Sequence, residues 1–376
     1  MKFTIDSQIL AAVLADVIKA VPAKPVDANL KNFLLELNAE GILRVTATDG
    51  EIALRELTKT DALESEGAAS LPAKLLLDLV KTLPAGPLTF EIDGAANAAV
   101  ITWKTGKSSL PIFDPGDFVT IVVPRKEGAN QLSTTTDTLL KAIGKTLFAV
   151  SHDDFRPMLT GIYFDVHPGE TNLVASDASK LVIVTMSTPN VENDSSFILP
   201  AKAASIIKSV LPKEQTVTIV FNDKNARFAF GSTELITQTI VGKYPQYKTV
   251  IPTQNNNILA VRRSELIDVL NRMKVVANRN TPIVKASVTF NNMEMTAEDL
   301  GMATRGNERV SCDYDGEDIV IGLKATTVSE VLSSFDSEKV ELRFMDGSHA
   351  ILIAPSGETA KDEPYQAIVM PYKIGK

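Results

Sequence analysis

The chain is written three times. Thr46-Ala47-Thr48-Asp49 returns as Val174-Ala175-Ser176-Asp177 and again as Thr296-Ala297-Glu298-Asp299, which sets the three aspartates 128 and 122 residues apart. Leu71-Pro72-Ala73-Lys74 recurs as Leu199-Pro200-Ala201-Lys202, and Lys324 of Gly322-Leu323-Lys324 holds the third place at the same intervals. A third marker, Val122-Val123-Pro124, Val250-Ile251-Pro252 and Val369-Met370-Pro371, closes each copy, with prolines 128 and 119 apart. These registers divide the 376 residues into domains at 1–122, 123–251 and 252–376, each near the common domain size. A domain copied in tandem points to a curved or closed assembly before it points to an active site.

With 44% hydrophobic residues each copy can bury its own core. No run approaches the roughly 20 apolar residues of a membrane span, and Met1-Lys2-Phe3-Thr4-Ile5-Asp6 lacks a signal peptide's apolar stretch, so a soluble cytoplasmic protein without membrane attachment is expected. The one cysteine, Cys312, has no intrachain partner, and His152, His167 and His349 lie too far apart for metal-ligand spacing. The expectation is a protein with no metal and no cofactor.

Each copy reads as strand-rich with two helices. Ser7 precedes Ile9, Leu10, Val13, Leu14, Val17, Ile18 and Val21 at helical spacing. Residues 33–37 and 43–47 read as strands joined by a turn at Glu40-Gly41, and Asp49-Gly50 turns the chain before Ile52. Pro72 opens a second helix whose predicted buried face is Leu75, Leu76, Leu79 and Leu83. Strands follow at 88–92, 98–103 and 107–113. The other copies repeat this order, with first helices at 135–149 and 264–277 and second helices at 201–211 and 324–335. The fold class is therefore α+β, three tandem copies of one two-helix, antiparallel-sheet domain. The joints, near 121–131 and 249–258, carry polar tips at 125–128 and 253–257 and are too short for free tumbling.

Charge is unevenly shared. The six predicted helices hold ten cations against six acids, while the whole chain is −8. Lys74, Lys81, Lys141, Lys145, Lys202, Lys208 and Arg272 are expected on exposed helix faces, a diffuse positive surface suited to a phosphate backbone without the aromatic interleaving that stacks single-stranded bases. For a single helix the simpler reading is a solvated face with ordinary ion pairs.

The opening Met1-Lys2-Phe3-Thr4-Ile5, Asp154-Phe155-Arg156 with Leu159 and Gly161, Ala175-Ser176-Asp177 with Leu181, Lys243-Tyr244-Pro245-Gln246-Tyr247 and Val369-Met370-Pro371 together resemble the bacterial replicative sliding clamps, the β subunits of DNA polymerase III. The resemblance covers the whole chain. It implies the DNA clamp fold, with two chains closing head to tail into a six-domain ring, a homodimer that encircles double-stranded DNA without sequence preference and tethers the replicative polymerase. The family's DNA contacts correspond to Lys24 and to the loop holding His152, Asp153, Arg156 and Pro157, but Asp153, Pro157 and Met158 depart from the family pattern, so only Lys24 carries over as a DNA contact and Arg156 is expected instead to shape the neighbouring pocket. It also implies a pocket for short apolar peptides of the polymerase, the clamp loader and other partners, formed by Leu159, Ser176, Ala178, Lys180, Leu181, Pro245, Val250, Ile368, Val369, Met370 and Pro371. Ala178-Ser179, Thr249 and Tyr372 depart from the family pattern there, which bears on peptide preference. The implied ring contact joins Lys107, Ser108, Leu110 and Ile112 to Val275 and Val276, with Glu298 or Glu308 facing Lys104 and Lys107.

Two other readings compete. Asp49, Asp177 and Asp299 could be a carboxylate set for metal-assisted phosphate chemistry, but each follows a strand in its own copy, whereas two-metal sites gather acids around ions about 4 Å apart. No nucleophile triad or glycine-rich phosphate loop is present, so no catalytic residue is assigned. The remaining alternative is a tandem-domain scaffold that binds proteins without encircling DNA.

Overall fold

A computed structural model describes residues 1–94, 97–124, 129–357 and 364–374. The expected polar tip at 125–128 and the last two residues lie outside them. One element order runs three times, with the short strand β5 added in the first copy. The first copy has β1 (Lys2–Asp6), α1 (Ser7–Val17), β2 (Asn32–Leu37), β3 (Ile42–Thr48), β4 (Ile52–Lys59), β5 (Ala62–Ser65), β6 (Gly67–Pro72), α2 (Ala73–Thr82), β7 (Pro87–Asp93), β8 (Ala98–Trp103) and β9 (Gly106–Pro111). The second has β10 (Asn130–Thr135), α3 (Thr136–Thr146), β11 (Gly161–His167), β12 (Gly169–Ser176), β13 (Lys180–Thr188), β14 (Ser195–Pro200), α4 (Ala201–Val210), β15 (Thr216–Phe221), β16 (Asn225–Phe230) and β17 (Thr233–Gln238). The third has β18 (Asn257–Arg262), α5 (Arg263–Val276), β19 (Ile283–Thr289), β20 (Asn292–Asp299), β21 (Thr304–Asp313), β22 (Ile319–Lys324), α6 (Ala325–Ser333), β23 (Lys339–Phe344), β24 (Ile351–Ser356) and β25 (Tyr365–Val369).

Sheets do not stop where copies do. The strand order β10-β15-β16-β17-β4-β3-β2-β6 carries one antiparallel sheet from the second copy into the first. In the same way β13 pairs with β25, joining second and third copies in one sheet. By contacts the chain forms two compact units. One comprises 1–140 with 202–239, the other 141–201 with 240–376, so the second copy is divided between them.

Local chemistry explains the helices. Asp6 caps α1, its Oδ1 accepting from the N–H groups of Gln8 (2.8 Å) and Ile9 (3.3 Å). Ser7, expected to flank the helix, is buried, and its hydroxyl donates to the Pro84 carbonyl. Leu10, Val13, Leu14 and Val17 face the core as the spacing predicts, while Ile9 is 46% exposed. The second helix is rotated from its predicted face. Ala73, Leu76, Leu77 and Val80 are buried, while Leu75 is 49% exposed and Leu79 and Leu83 are half-buried. Full burial of each such side chain contributes about 1.5–3 kcal/mol, so the face with Leu76, Leu77 and Val80 sets the helix's orientation.

The third marker is not one structural position. Val369 ends β25 inside a sheet, whereas Val122–Pro124 and Val250–Pro252 lie in the connectors that follow β9 and β17. The aspartate marker does keep one place, a hairpin turn, but the lysine marker shifts: Lys74 and Lys202 are the second residues of α2 and α4, whereas Lys324 ends β22 just before α6, the place that Pro72 and Pro200 hold in the other copies.

Candidate functional site

The repeated aspartates staple turns. Asp49 Oδ1 accepts from the N–H groups of Glu51 (2.9 Å) and Ile52 (2.7 Å), Asp177 Oδ1 from Ser179 (2.8 Å) and Lys180 (2.9 Å), and Asp299 Oδ1 from Gly301 (2.9 Å) and Met302 (3.2 Å). Each carboxylate is engaged by its own backbone, one per copy. Among the described residues no cluster of three metal-ligating side chains occurs.

The Asp177 turn opens onto a cavity of about 270 Å³ where β13 meets β25. Its lining includes Leu159, Ser176, Ala178, Lys180, Leu181, Pro245, Val250, Ile368 and Met370, all expected, together with Ser179, Tyr244, Gln246, Tyr247 and Ala350. Val369 and Pro371 do not line it. Strand alternation explains this for Val369, since side chains of neighbouring residues leave opposite faces of β25 and Val369 is buried beneath. Tyr244, Gln246 and Tyr247 belong to the Lys243–Tyr247 segment that carries the family resemblance, whereas Ala350 left no signal in the sequence.

The wall is aromatic and fixed from behind. Tyr163 stacks on Tyr244 with centroids 4.6 Å apart and meets Tyr247 edge-on at 6.3 Å. The Tyr247 hydroxyl donates to Asp165 Oδ2 (2.7 Å), which also receives Lys248 Nζ (3.1 Å) and His167 Nε2 (3.1 Å), while His167 Nδ1 lies 2.9 Å from Asp194. Burial raises the Asp165 carboxyl, but hydrogen bonds from Tyr247, Lys248 and His167 outweigh it and hold it below the ordinary carboxylate range. On the opposite rim Lys180 Nζ pairs with Asp177 (2.8 Å) and Glu330 (3.3 Å), so its charge is neutralised at the margin. Burial likewise raises Asp177, and hydrogen bonds from Lys180 and Ser179 bring it below the usual range. Ala178 sits at φ 74°, a left-handed conformation that glycine adopts more cheaply by about 1 kcal/mol. This concave apolar site with a few placed polar groups suits side chains of a short peptide.

The matching strand pair in the first unit is covered differently. There Ala53 and Ile236 are adjacent across β4 and β17, as Leu181 and Ile368 are across β13 and β25. Ile121 and Val123 from the connector pack onto Ala53 and Ile236. In the second unit Tyr244, Tyr247 and Ile251 approach Leu181 and Ile368 from the corresponding connector and leave the cavity beside them.

The expected DNA-facing cations divide into two kinds. Lys24, Lys74, Lys81 and Lys208 are exposed and make no ion pair among the described residues. Lys202 pairs with Asp49, and Arg272 with Glu308. Lys141 and Lys145 both reach Asp336 at 3.0 Å. Lys145 corrects the expectation of an exposed i, i+4 pair: it is 6% exposed, with its ammonium 5.0 Å from the Tyr365 ring centre. In the 152–157 loop Arg156 Nε donates to Asp153 Oδ2 (2.8 Å) and does not line the cavity.

Two of the open strand edges lie where the ring contact is expected. β9 ends the five-stranded sheet β5-β1-β7-β8-β9, and among the described residues Thr304–Ser311 of β21 pairs only with β20. Of the expected interface residues, Lys107 is exposed, Ser108 and Ile112 are half-buried, Val275 is 79% exposed and Val276 half-buried. Leu110 departs from a surface role; it is 6% exposed and points into the core of its own sheet.

Three family models, for the N-terminal, central and C-terminal domains of the DNA polymerase III beta subunit, match residues 1–122, 133–246 and 248–373. The chain is 27% identical to the beta sliding clamp of Synechocystis sp. over 95% of its own length and 96% of that protein's. It superposes over the whole of both chains on the DNA polymerase III beta subunit of Thermotoga maritima, with a TM-score of 0.89 and 25% identity. A Pseudomonas aeruginosa sliding clamp solved bound to griselimycin gives a TM-score of 0.92 at 22% identity, again over both whole chains.

Proposed function

This chain belongs to the DNA polymerase III beta subunit family, DNA sliding clamps rather than enzymes, and from that premise we propose that two copies close head to tail into a six-domain ring around duplex DNA. The observation that carries the ring is the pair of unmatched edges. Inside the chain, the strand after an aspartate turn pairs with the last strand of the next copy, Ile52 opposite Thr237 and Lys180 opposite Val369. Among the described residues only β21 and β9 lack this partner, so each fits the other on a second copy. Such a contact is heterologous, and its curvature must close at two chains.

The internal junctions also supply a register. Gly106 follows the β8–β9 turn as Thr233 follows the β16–β17 turn, and Thr304 follows its aspartate hairpin as Ile52 does. Transfer of the β4–β17 pairing sets Leu110 opposite Thr304 and Lys107 opposite Asn307. Burial alternation supports the match: Lys107 and Ser109 are exposed, as are Arg305 and Asn307, while Ser108, Gly306 and Glu308 are half-buried.

In this reading the domains run 1–122, 123–251 and 252–376 and the protein works in the cytoplasm. Exposed lysines led by Lys24, Lys74, Lys81 and Lys208 attract phosphates without base contacts, which permits sliding. The cavity at Leu181, Ile368 and Met370 seats partner peptides of the polymerase and clamp loader. Each buried leucine or aromatic contributes roughly 1.5–3 kcal/mol before ordering costs, which gives affinities in the micromolar range.

The test is a single preparation read three ways. Sedimentation should give twice the 40.6 kDa chain mass. Loaded protein should stay on nicked circular DNA and leave it after linearisation. A glutamine-led apolar pentapeptide should bind calorimetrically, and Met370→Ala, truncating a half-exposed side chain, should weaken it. A monomer that binds the peptide but is not retained on circles would instead establish the protein-binding scaffold.

A further inference from the structure

The third aspartate turn differs from the other two. Asp49 closes on Ile52 and Asp177 on Lys180 across two residues, but Asp299 pairs with Thr304, which makes the loop two residues longer. That loop bears two bare apolar side chains, Leu300 at 88% and Met302 at 65% exposure. Val275 of α5, 79% exposed, belongs to the same end of the domain, where Thr304 Oγ1 donates to the Val276 carbonyl (2.8 Å) and Asn278 reaches Asp299 (3.2 Å).

At both internal junctions the short turn is locked by one backbone hydrogen bond from the residue after the pairing strand segment. Gln238 N–H donates to the Glu51 carbonyl (2.9 Å), and Met370 N–H to the Ser179 carbonyl (3.0 Å). In the transferred register the residue at that place is Pro111, which has no N–H. The next two donors are already used within the first copy: Ile112 N–H goes to the Asn97 carbonyl (3.3 Å) and Phe113 N–H to Ser70 (2.8 Å). No main-chain donor is left to lock the third turn. What this end of the first copy does offer is apolar: Pro111, half-buried Ile112 and Phe113 at 45% exposure.

We infer that the 300–303 loop is an apolar clasp, in which Leu300 and Met302 of one copy grip the Pro111–Phe113 end of β9 on the second copy, in place of the hydrogen bond that locks the internal junctions. The inference rests on the ring reading and names the side chains that hold its closing contact. Apolar surface of this kind in a monomer marks an association site when it continues an unpaired strand edge.

The experiment compares dimer dissociation constants by sedimentation for wild type, Leu300→Ser with Met302→Ser, Phe113→Ser, and the combination of all three. Phe290→Ser serves as a control; that side chain is 71% exposed at the opposite end of β20. The loop variant should dissociate at least tenfold more readily with unchanged melting of the isolated subunit, because both side chains are exposed there. Phe113→Ser should weaken the dimer too, and the combined variant should lose less than the product of the separate effects, as touching groups do. Phe290→Ser should change nothing. A wild type that stays monomeric at every concentration overturns the ring and the clasp together. A wild-type dimer left unaffected by the loop variant, or fully multiplicative effects, overturns the clasp alone.

Discussion

At the scale of single residues, Glu56 on β4 faces the first copy's core side with one carboxylate oxygen buried and, among the described residues, no hydrogen-bond partner for it. Burial, reinforced by Asp16 and opposed by Lys19, pushes its carboxyl up to about 7. The unfolded chain releases that proton near the ordinary glutamate value of about 4.3. Between these values the folded state holds the extra proton, so stability falls as pH rises through the window and stays lower above it. Glu56→Gln should therefore match wild type at pH 4.5 and exceed it at pH 8 by about 1–2 kcal/mol, after discounting for partial exposure. Denaturant melts at the two pH values measure this, and parallel pH dependence in both proteins would rule out the assignment. Nothing local in Leu54-Arg55-Glu56-Leu57 announced the effect, because Asp16 and Lys19 reach Glu56 only through the packing of α1 on its sheet.

At the scale of elements, the helices show what a single sequence reveals and what it hides. The stapling aspartates and the start of each second helix were legible, since turn and helix-start chemistry is local. The buried face of α2 was not: six leucines within 71–83 admit two adjacent helical stripes, and sheet packing chose Leu76, Leu77 and Val80. Lys145 was misread for a related reason. Its spacing from Lys141 speaks of a solvated face, but its partner Asp336 belongs to the following copy, a distance no periodicity encodes. The two kinds of lysine should respond differently. Reversing Lys74, Lys81 and Lys208 to glutamate should leave melting unchanged and lower affinity for duplex DNA equally across sequences, with the salt slope reduced by about 3. Lys145→Glu should instead cost about 3 kcal/mol or more in stability, by setting two carboxylates together at a nearly buried site. Fluorescence anisotropy across a salt series, paired with thermal melts, separates them; equal loss of DNA binding without loss of stability in Lys145→Glu would return that residue to the DNA-facing surface.

At the scale of the whole molecule, the repeated sequence implied a repeated junction, and the open edges β9 and β21 turn that implication into a register that cysteines can test. Lys107→Cys with Asn307→Cys places two thiols directly opposite in antiparallel strands, where Cα separations of about 4.5–5.5 Å suit a disulfide. Cys312, half-buried with its thiol pushed up to about 11 by burial, is replaced by serine in this background so that every cross-link reports the designed pair. Mild oxidation should then yield a covalent dimer on denaturing electrophoresis, with both junctions closed in the fully oxidised species. Lys107→Cys with Arg309→Cys displaces the second thiol by two residues on the same face, beyond about 7 Å, and should stay monomeric on the same gel. If the displaced pair cross-links and the direct pair does not, the register carried over from the internal junctions is wrong, and with it the placement of Leu300 and Met302 against Pro111.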